Sequence, residues 1–154
     1  LISAAEIPDI FVKRRTKPLC NVPELILGNK TYDDGNLILS EEEKDEIIAK
    51  EPITKSWIRP FLGAYEFINR KSRYVIWLKD ISPAEINQSK IVKERISNVY
   101  NFRIKSTDAG TRKGAEYPSL LLNITQKNID YDNFIFIPRV SSERRRYIPM
   151  GFLS

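Results

Sequence analysis

The sequence predicts an α+β domain of mixed, mostly antiparallel short strands with roughly three helices. Three observations carry that prediction. Short apolar runs such as Leu37-Ile38-Leu39 recur between polar turns, two segments carry helix-start signatures, and strands and helices do not alternate in strict βαβ order. A chain of 154 residues, 42% apolar and 29% charged, is sized for one domain, residues 1–154. Such a chain buries roughly 68–70% of its unfolded surface and needs neither disulfides nor a structural metal.

The elements follow in order. Ile10-Phe11-Val12 reads as a short strand running into the basic cluster Lys13, Arg14, Arg15 and Lys17, after which Pro18 and Pro23 interrupt regular structure. Two apolar runs, Leu25-Ile26-Leu27 and Leu37-Ile38-Leu39, flank Asp33-Asp34-Gly35-Asn36, a strong turn sequence. Ser40 with Glu43 has the capping-box pattern, and acids at 41–43 suit the positive end of a helix. A helix over 41–50 follows, ended by Pro52. Residues 55–68 mix aromatics with Pro60 and Gly63 and predict a bent element. Residues 73–79 hold five consecutive apolar side chains and predict a strand covered on both faces. Ser82-Pro83-Ala84-Glu85 starts a second helix. A longer helix over 89–104 sets Val92, Ile96, Val99 and Phe102 in a core stripe, with Lys90, Lys93, Arg95 and Arg103 off it. Residues 106–116 are polar, contain Gly110 and Gly114, and predict a mobile loop. Residues 120–124 and 134–137 predict further strands.

Charge is unevenly placed. The chain has 25 basic and 20 acidic residues, a net +5. Eight acids and two lysines lie between Asp33 and Glu51, so 23 basic and 12 acidic residues elsewhere give +11. Basic residues cluster at 13–17, at Arg70, Lys71 and Arg73, and at Arg144, Arg145 and Arg146. One acidic helix on an otherwise basic surface suits a polyanion that touches one side; ordinary solvated lysines and arginines are the plainer alternative.

Several chemistries are excluded. The chain has no histidine, which removes His-based triads, histidine zinc sites and the commonest general base. Cys20 is the sole cysteine, so it forms neither an internal disulfide nor a zinc cluster, as suits a reducing cytoplasm. No apolar run approaches the roughly 20 residues of a membrane helix. The sequence starts at Leu1 and its one methionine is Met150, so it is expected to be a piece of a longer protein, without a signal peptide. Neither glycine-rich phosphate loop is present. Pro8-Asp9 with Glu42-x-Lys44 formally matches a metal-dependent nuclease, but Glu42 and Lys44 fall in the first turn of the capped helix, where capping explains them. The chain also lacks the Asn/Asp-Pro-Pro-Tyr/Phe sequence with which amino-methylating enzymes hold a flipped base.

The densest polar patch is RVSSERRR at 139–146. Arg139, Arg144, Arg145 and Arg146 can take guanine O6 and N7, Glu143 can accept from cytosine N4, and Ser141 and Ser142 suit phosphates or bases. A surface hairpin whose glutamate is neutralised by neighbouring arginines fits the composition as well.

The string PRVSSERRRYIPMGFL at 138–153 resembles the end of the target-recognition domain of MmeI-like enzymes, large single-chain DNA adenine methyltransferases often fused to a nuclease. Other pieces agree in order: KPL at 17–19, PELILGN at 23–29, DDGNLILSEEE at 33–43, WIRPFLGAYEFIN at 57–69, RYVIWLKD at 73–80, and Arg103 with Ser106. The resemblance runs from about Ile7 to Leu153. The family's Asp-Gly-Gly here reads Asp34-Gly35-Asn36, and its Pro-x-x-Phe region reads Pro118-Ser119-Leu120-Leu121, so the same DNA sequence need not be read.

The resemblance implies a parent that methylates the exocyclic amine of adenine from S-adenosylmethionine, in a prokaryotic-type cytoplasm. The methyltransferase domain would precede this fragment and pack against it. The fragment itself would bind no cofactor, metal or membrane, and would select double-stranded DNA sequence while the adenine is extruded. Its DNA-binding candidates are Arg103, Ser106, Arg112, Lys113, Arg139, Ser141, Ser142, Glu143, Arg144, Arg145 and Arg146. A non-specific nucleic-acid-binding module is the competing class, and it would show little sequence preference.

Overall fold

The computed structural model describes residues 14–22, 25–122 and 134–153. The predicted strand at 10–12, the Pro8-Asp9 pair, Lys13 and residues 123–124 lie outside the described residues. In chain order the elements are β1 (Ile38–Leu39), α1 (Glu41–Lys50), β2 (Ile58–Pro60), α2 (Ala64–Asn69), β3 (Tyr74–Ile76), α3 (Pro83–Ile86), α4 (Lys90–Ile104), α5 (Ala109–Lys113), β4 (Phe134–Phe136) and β5 (Gly151–Leu153). Turns of 3-10 helix cover Pro52–Trp57 and Gly114–Glu116. The architecture is α+β with short antiparallel strands, and the five α-helices among the described residues exceed the expected number.

The turn before β1 forms as its sequence predicts. Gly35 sits at φ +75, the Asn36 amide donates to Asp33 O at 3.0 Å, and the buried Asp33 carboxylate accepts from the Leu37 amide at 2.6 Å. The capping box is also present: the Glu43 amide donates to Ser40 Oγ at 3.2 Å and the Ser40 amide to Glu43 Oε2 at 3.0 Å. The Ser40 amide's bond holds the Glu43 carboxyl below the usual carboxylate range, and Arg95, 2.9 Å away, adds to the effect. Glu51 then ties the end of α1 to the start of α4. Its carboxylate accepts from the amides of Lys90 at 3.0 Å and Ile91 at 3.2 Å and from the Ser89 hydroxyl, so three donors at one helix N-terminus share one acceptor.

β3 is the middle strand of a three-stranded antiparallel sheet, with Ile38 and Arg59 both level with Val75. Val75 and Ile76 point to opposite faces, yet both are buried, which is the two-sided cover that the apolar run predicts. Trp57, Leu37, Leu39, Val92 and Val99 close the core around them. The 55–68 region is bent as expected: the 3-10 turn runs into β2, and Gly63 starts α2.

Two expectations are corrected. Phe102 is 37% exposed, and the residue of α4 that continues the buried row of Val92 and Val99 is Arg103. Residues 106–116 are not a loop: Asp108 caps α5 by accepting from the Thr111 amide at 2.6 Å, a bond that also lowers the Asp108 pKa. Gly114 there is buried against Leu122, and a Cβ in its place would collide with the Leu122 side chain. Of the strand predicted at 120–124, the described part contributes one antiparallel bridge, Leu122 to Lys30.

Candidate nucleic-acid interface

Arg103 is fully buried, and all five of its N–H groups are used. Nε donates to Tyr32 O at 3.0 Å, Nη1 to Gly114 O and Tyr117 O at 3.0 Å each, and Nη2 to Thr31 O at 3.1 Å and Leu120 O at 2.8 Å. Burial pushes its pKa down and the nearby Asp33 carboxylate pushes it up, but a guanidinium stays charged throughout. The structure thus corrects the expectation that Arg103 lies off the core stripe of α4. It gathers carbonyls from the 31–32 segment, the 3-10 turn after α5 and the chain beyond it.

The residues that Arg103 anchors carry the next candidates. Arg112 and Lys113 are exposed on α5, and Ser106 is half-buried just ahead of it. Arg112 Nη1 donates to Ser106 O and Thr107 O, both at 2.8 Å, which closes the α4–α5 connection. Arg112 therefore has a structural task on one nitrogen, while Lys113 makes no ion pair among the described residues.

The C-terminal candidates sit on a different scaffold. β4 and β5 pair antiparallel, Ile135 opposite Phe152, and the hairpin leans on α2 through Phe67, whose ring centre is 5.0 Å from that of Phe136. Gly151 is needed at this contact: a Cβ there would lie 2.9 Å from Phe67 Cζ. Between the strands, residues 139–148 are all exposed, and a turn forms where the Arg144 amide donates to Ser142 Oγ at 3.2 Å and the Arg145 amide to Ser142 O at 3.1 Å. Glu143, Arg139, Arg144, Arg145 and Arg146 make no ion pair among the described residues. A glutamate neutralised by its neighbours is therefore not the arrangement present; acceptor and donors all face outward.

Over residues 6–154 the sequence matches the family described as MmeI, target recognition domain.

The chain belongs to the MmeI target recognition domain family.

DNA methyltransferase A of Bacillus subtilis (strain 168) is 40% identical over 143 residues, which is 93% of this chain and 16% of that protein. A solved structure of the Type IIL restriction-modification enzyme MmeI in complex with DNA matches with TM-score 0.85 at 37% identity, over 94% of this chain and 19% of that one. The chain thus spans about a sixth of the length of the curated relative it matches.

In this MmeI-family domain the predicted site residues fall into three places. Arg103 lies in the core, Ser106, Arg112 and Lys113 lie at the α4–α5 junction, and Arg139, Ser141, Ser142, Glu143, Arg144, Arg145 and Arg146 lie on the β4–β5 connection. No hydrogen bond or ion pair among the described residues joins the second group to the third. The third group instead borders a cleft at α2, where Arg145 shares the lining with Arg70 and Lys71. The sequence marks those two as a basic cluster, and only the fold brings them beside the loop. In the described half of the formal nuclease pattern, Lys44 has local partners: it lies 3.1 Å from Asp45 and 4.3 Å from the centre of the Tyr74 ring. Among the described residues no group of three or more acids and cysteines could hold a metal ion, and no helix is long and apolar enough to cross a membrane.

Proposed function

We propose that this chain, residues 1–154, is the sequence-reading domain of an adenine-N6 DNA methyltransferase and is not catalytic by itself. The observation that carries this reading is the loop at 139–146, where one carboxylate and four guanidinium groups, exposed and without an ion pair among the described residues, project from a hairpin seated on the folded core. That arrangement can face donors and acceptors on base edges in the major groove, while Lys113 and Arg112 grip backbone. The family membership and the relative's methyltransferase name support the same reading. The parent would act on double-stranded DNA in the cytoplasm, and its remaining length would hold S-adenosylmethionine and pack against this domain. The cleft at α2 does not suit that cofactor, because cations line it and S-adenosylmethionine carries a sulfonium charge. The exposed Tyr147 and Phe152, 84% and 86% accessible, favour a second reading, a non-specific module that stacks bases.

Titrating duplex DNA into the chain across a salt series tests both. A few phosphate contacts should give a log–log slope of about −3 to −6. Enrichment of one sequence from random duplexes supports sequence reading; equal binding to all sequences, or tighter binding to single strands, supports the non-specific module.

A further inference from the structure

An open cleft of about 550 Å³ lies between the end of α2 and the 139–148 loop, and its lining includes the half-buried Phe67 and Pro149 and the exposed Arg70, Lys71 and Arg145. Its one carboxylate is already ion-paired, although the buried Oε1 that faces Arg73 makes no hydrogen bond among the described residues. Glu66 is 2% exposed, meets Arg73 Nε at 2.8 Å and accepts from the Gly63 amide at 3.0 Å. Arg70, Lys71 and Arg145 make no ion pair among the described residues, so three cations face one opening with nothing to neutralise them. Like charges gathered in this way raise the local positive potential and draw an anion. Arg70 adds a second mark. It ends α2 at φ 52, ψ 46, a left-handed conformation that glycine takes without steric cost and that a side chain strains. Here the strained position carries a guanidinium that lines the cleft.

We propose that this cleft holds one phosphodiester of the duplex, gripped by Arg70 and Lys71, beside Arg145. The inference rests on DNA as the partner of the 139–146 loop and adds the contact that sets its register. A phosphate fixed at the α2–β3 turn places the loop at one depth and one angle, which leaves the guanidinium fork of Arg145 for base edges. Neither Arg70 nor Lys71 reads sequence in this arrangement. They determine where on the duplex the reading occurs.

The test is a salt series of duplex binding by the chain and by Arg70→Gly, Lys71→Ala and the double variant, with Lys50→Ala on the acidic helix as reference. Each single substitution should shallow the log–log slope by about one unit and the double by about two, while Lys50→Ala keeps the wild-type slope. Arg70→Gly should leave the Tm unchanged or raise it, which separates lost binding from lost folding. Should Arg70→Gly unfold the chain, Lys71→Ala, at an exposed position, carries the same slope test. Wild-type slopes in Lys71→Ala and in the double variant overturn the clamp and leave the DNA-reading role standing. Failure of the wild-type chain to bind duplex at low salt overturns both.

Discussion

Arg103 and Arg145 carry the same side chain, and the molecule uses them in opposite ways. Arg103 is fully buried with five N–H groups on five backbone carbonyls. Arg145 is exposed, makes no ion pair among the described residues, and shares a cleft with Arg70 and Lys71. The first arginine is saturated by its own chain, so it shapes the domain; the second has its hydrogen-bonding capacity open, so it can act on another molecule. A basic residue's type therefore says little about its role, whereas the partners of its donors decide it.

The largest effect should come from the saturated side. Replacing Arg103 by Met strands five carbonyls, each of which costs about 1–3 kcal/mol if left dry, so even with water entry the loss should exceed about 3 kcal/mol. Urea unfolding followed by fluorescence of the buried Trp57 measures it. Arg103→Lys should recover only part, since an ammonium offers three donors. A loss below about 1 kcal/mol would mean that water serves those carbonyls as well as the guanidinium does.

On the open side, Glu143→Lys or Arg145→Asp exchanges acceptor and donor against fixed base edges. In the full-length enzyme this should shift discrimination at one base pair by about 1–3 kcal/mol and leave stability alone. Long-read mapping of methylated sites reads the outcome. Unchanged site preference in every substitution from 139 to 146, with the protein folded, would return the loop to backbone grip.

The seam between the two regions is next in size. Gly151→Ala puts a methyl against Phe67 and should cost about 1 kcal/mol, the low end for overpacking, because the ring can shift. DNA affinity should fall along with Tm. An unchanged Tm would show that the hairpin does not depend on Phe67 for its seat.

The smallest effect belongs to the acidic helix. Charge reversal at Glu42 and Glu46, both on α1, should raise non-specific affinity modestly and leave sequence preference as it was. Competition between specific and random duplexes checks this, and an altered site would place α1 on the DNA face.

The regions also differ in how far the sequence discloses them. The capping box at Ser40 and Glu43, the turn at Asp33 and the buried run of β3 involve neighbours within a few residues, so local pattern is enough. Arg103 defeats such reading because an apolar stripe is counted by hydrophobicity. Yet Arg103 sits four residues after Val99, in register with Val92 and Ile96, and that spacing is the available signal. Gly110 and Gly114 suggest a loop, whereas Gly114 is small to admit Leu122, a contact known only once the chain is folded. The 139–146 loop is conspicuous by composition. Its neighbourhood with Arg70 and Lys71 comes from residues some seventy positions away, which no local pattern reveals.

The β4–β5 clasp bears on how easily such a surface can be rewritten. Phe134, Ile135 and Phe136 meet Leu153, Phe152 and Gly151, and the chain between them has only to leave and rejoin those rows. The entropy of closing a loop grows with the logarithm of its length, so even doubling the connection costs only about 0.6 kcal/mol. Replacement or lengthening of the intervening residues therefore scarcely taxes the folded state. Mutation can explore that stretch widely while the hub at Arg103 goes on holding the rest of the domain in one shape.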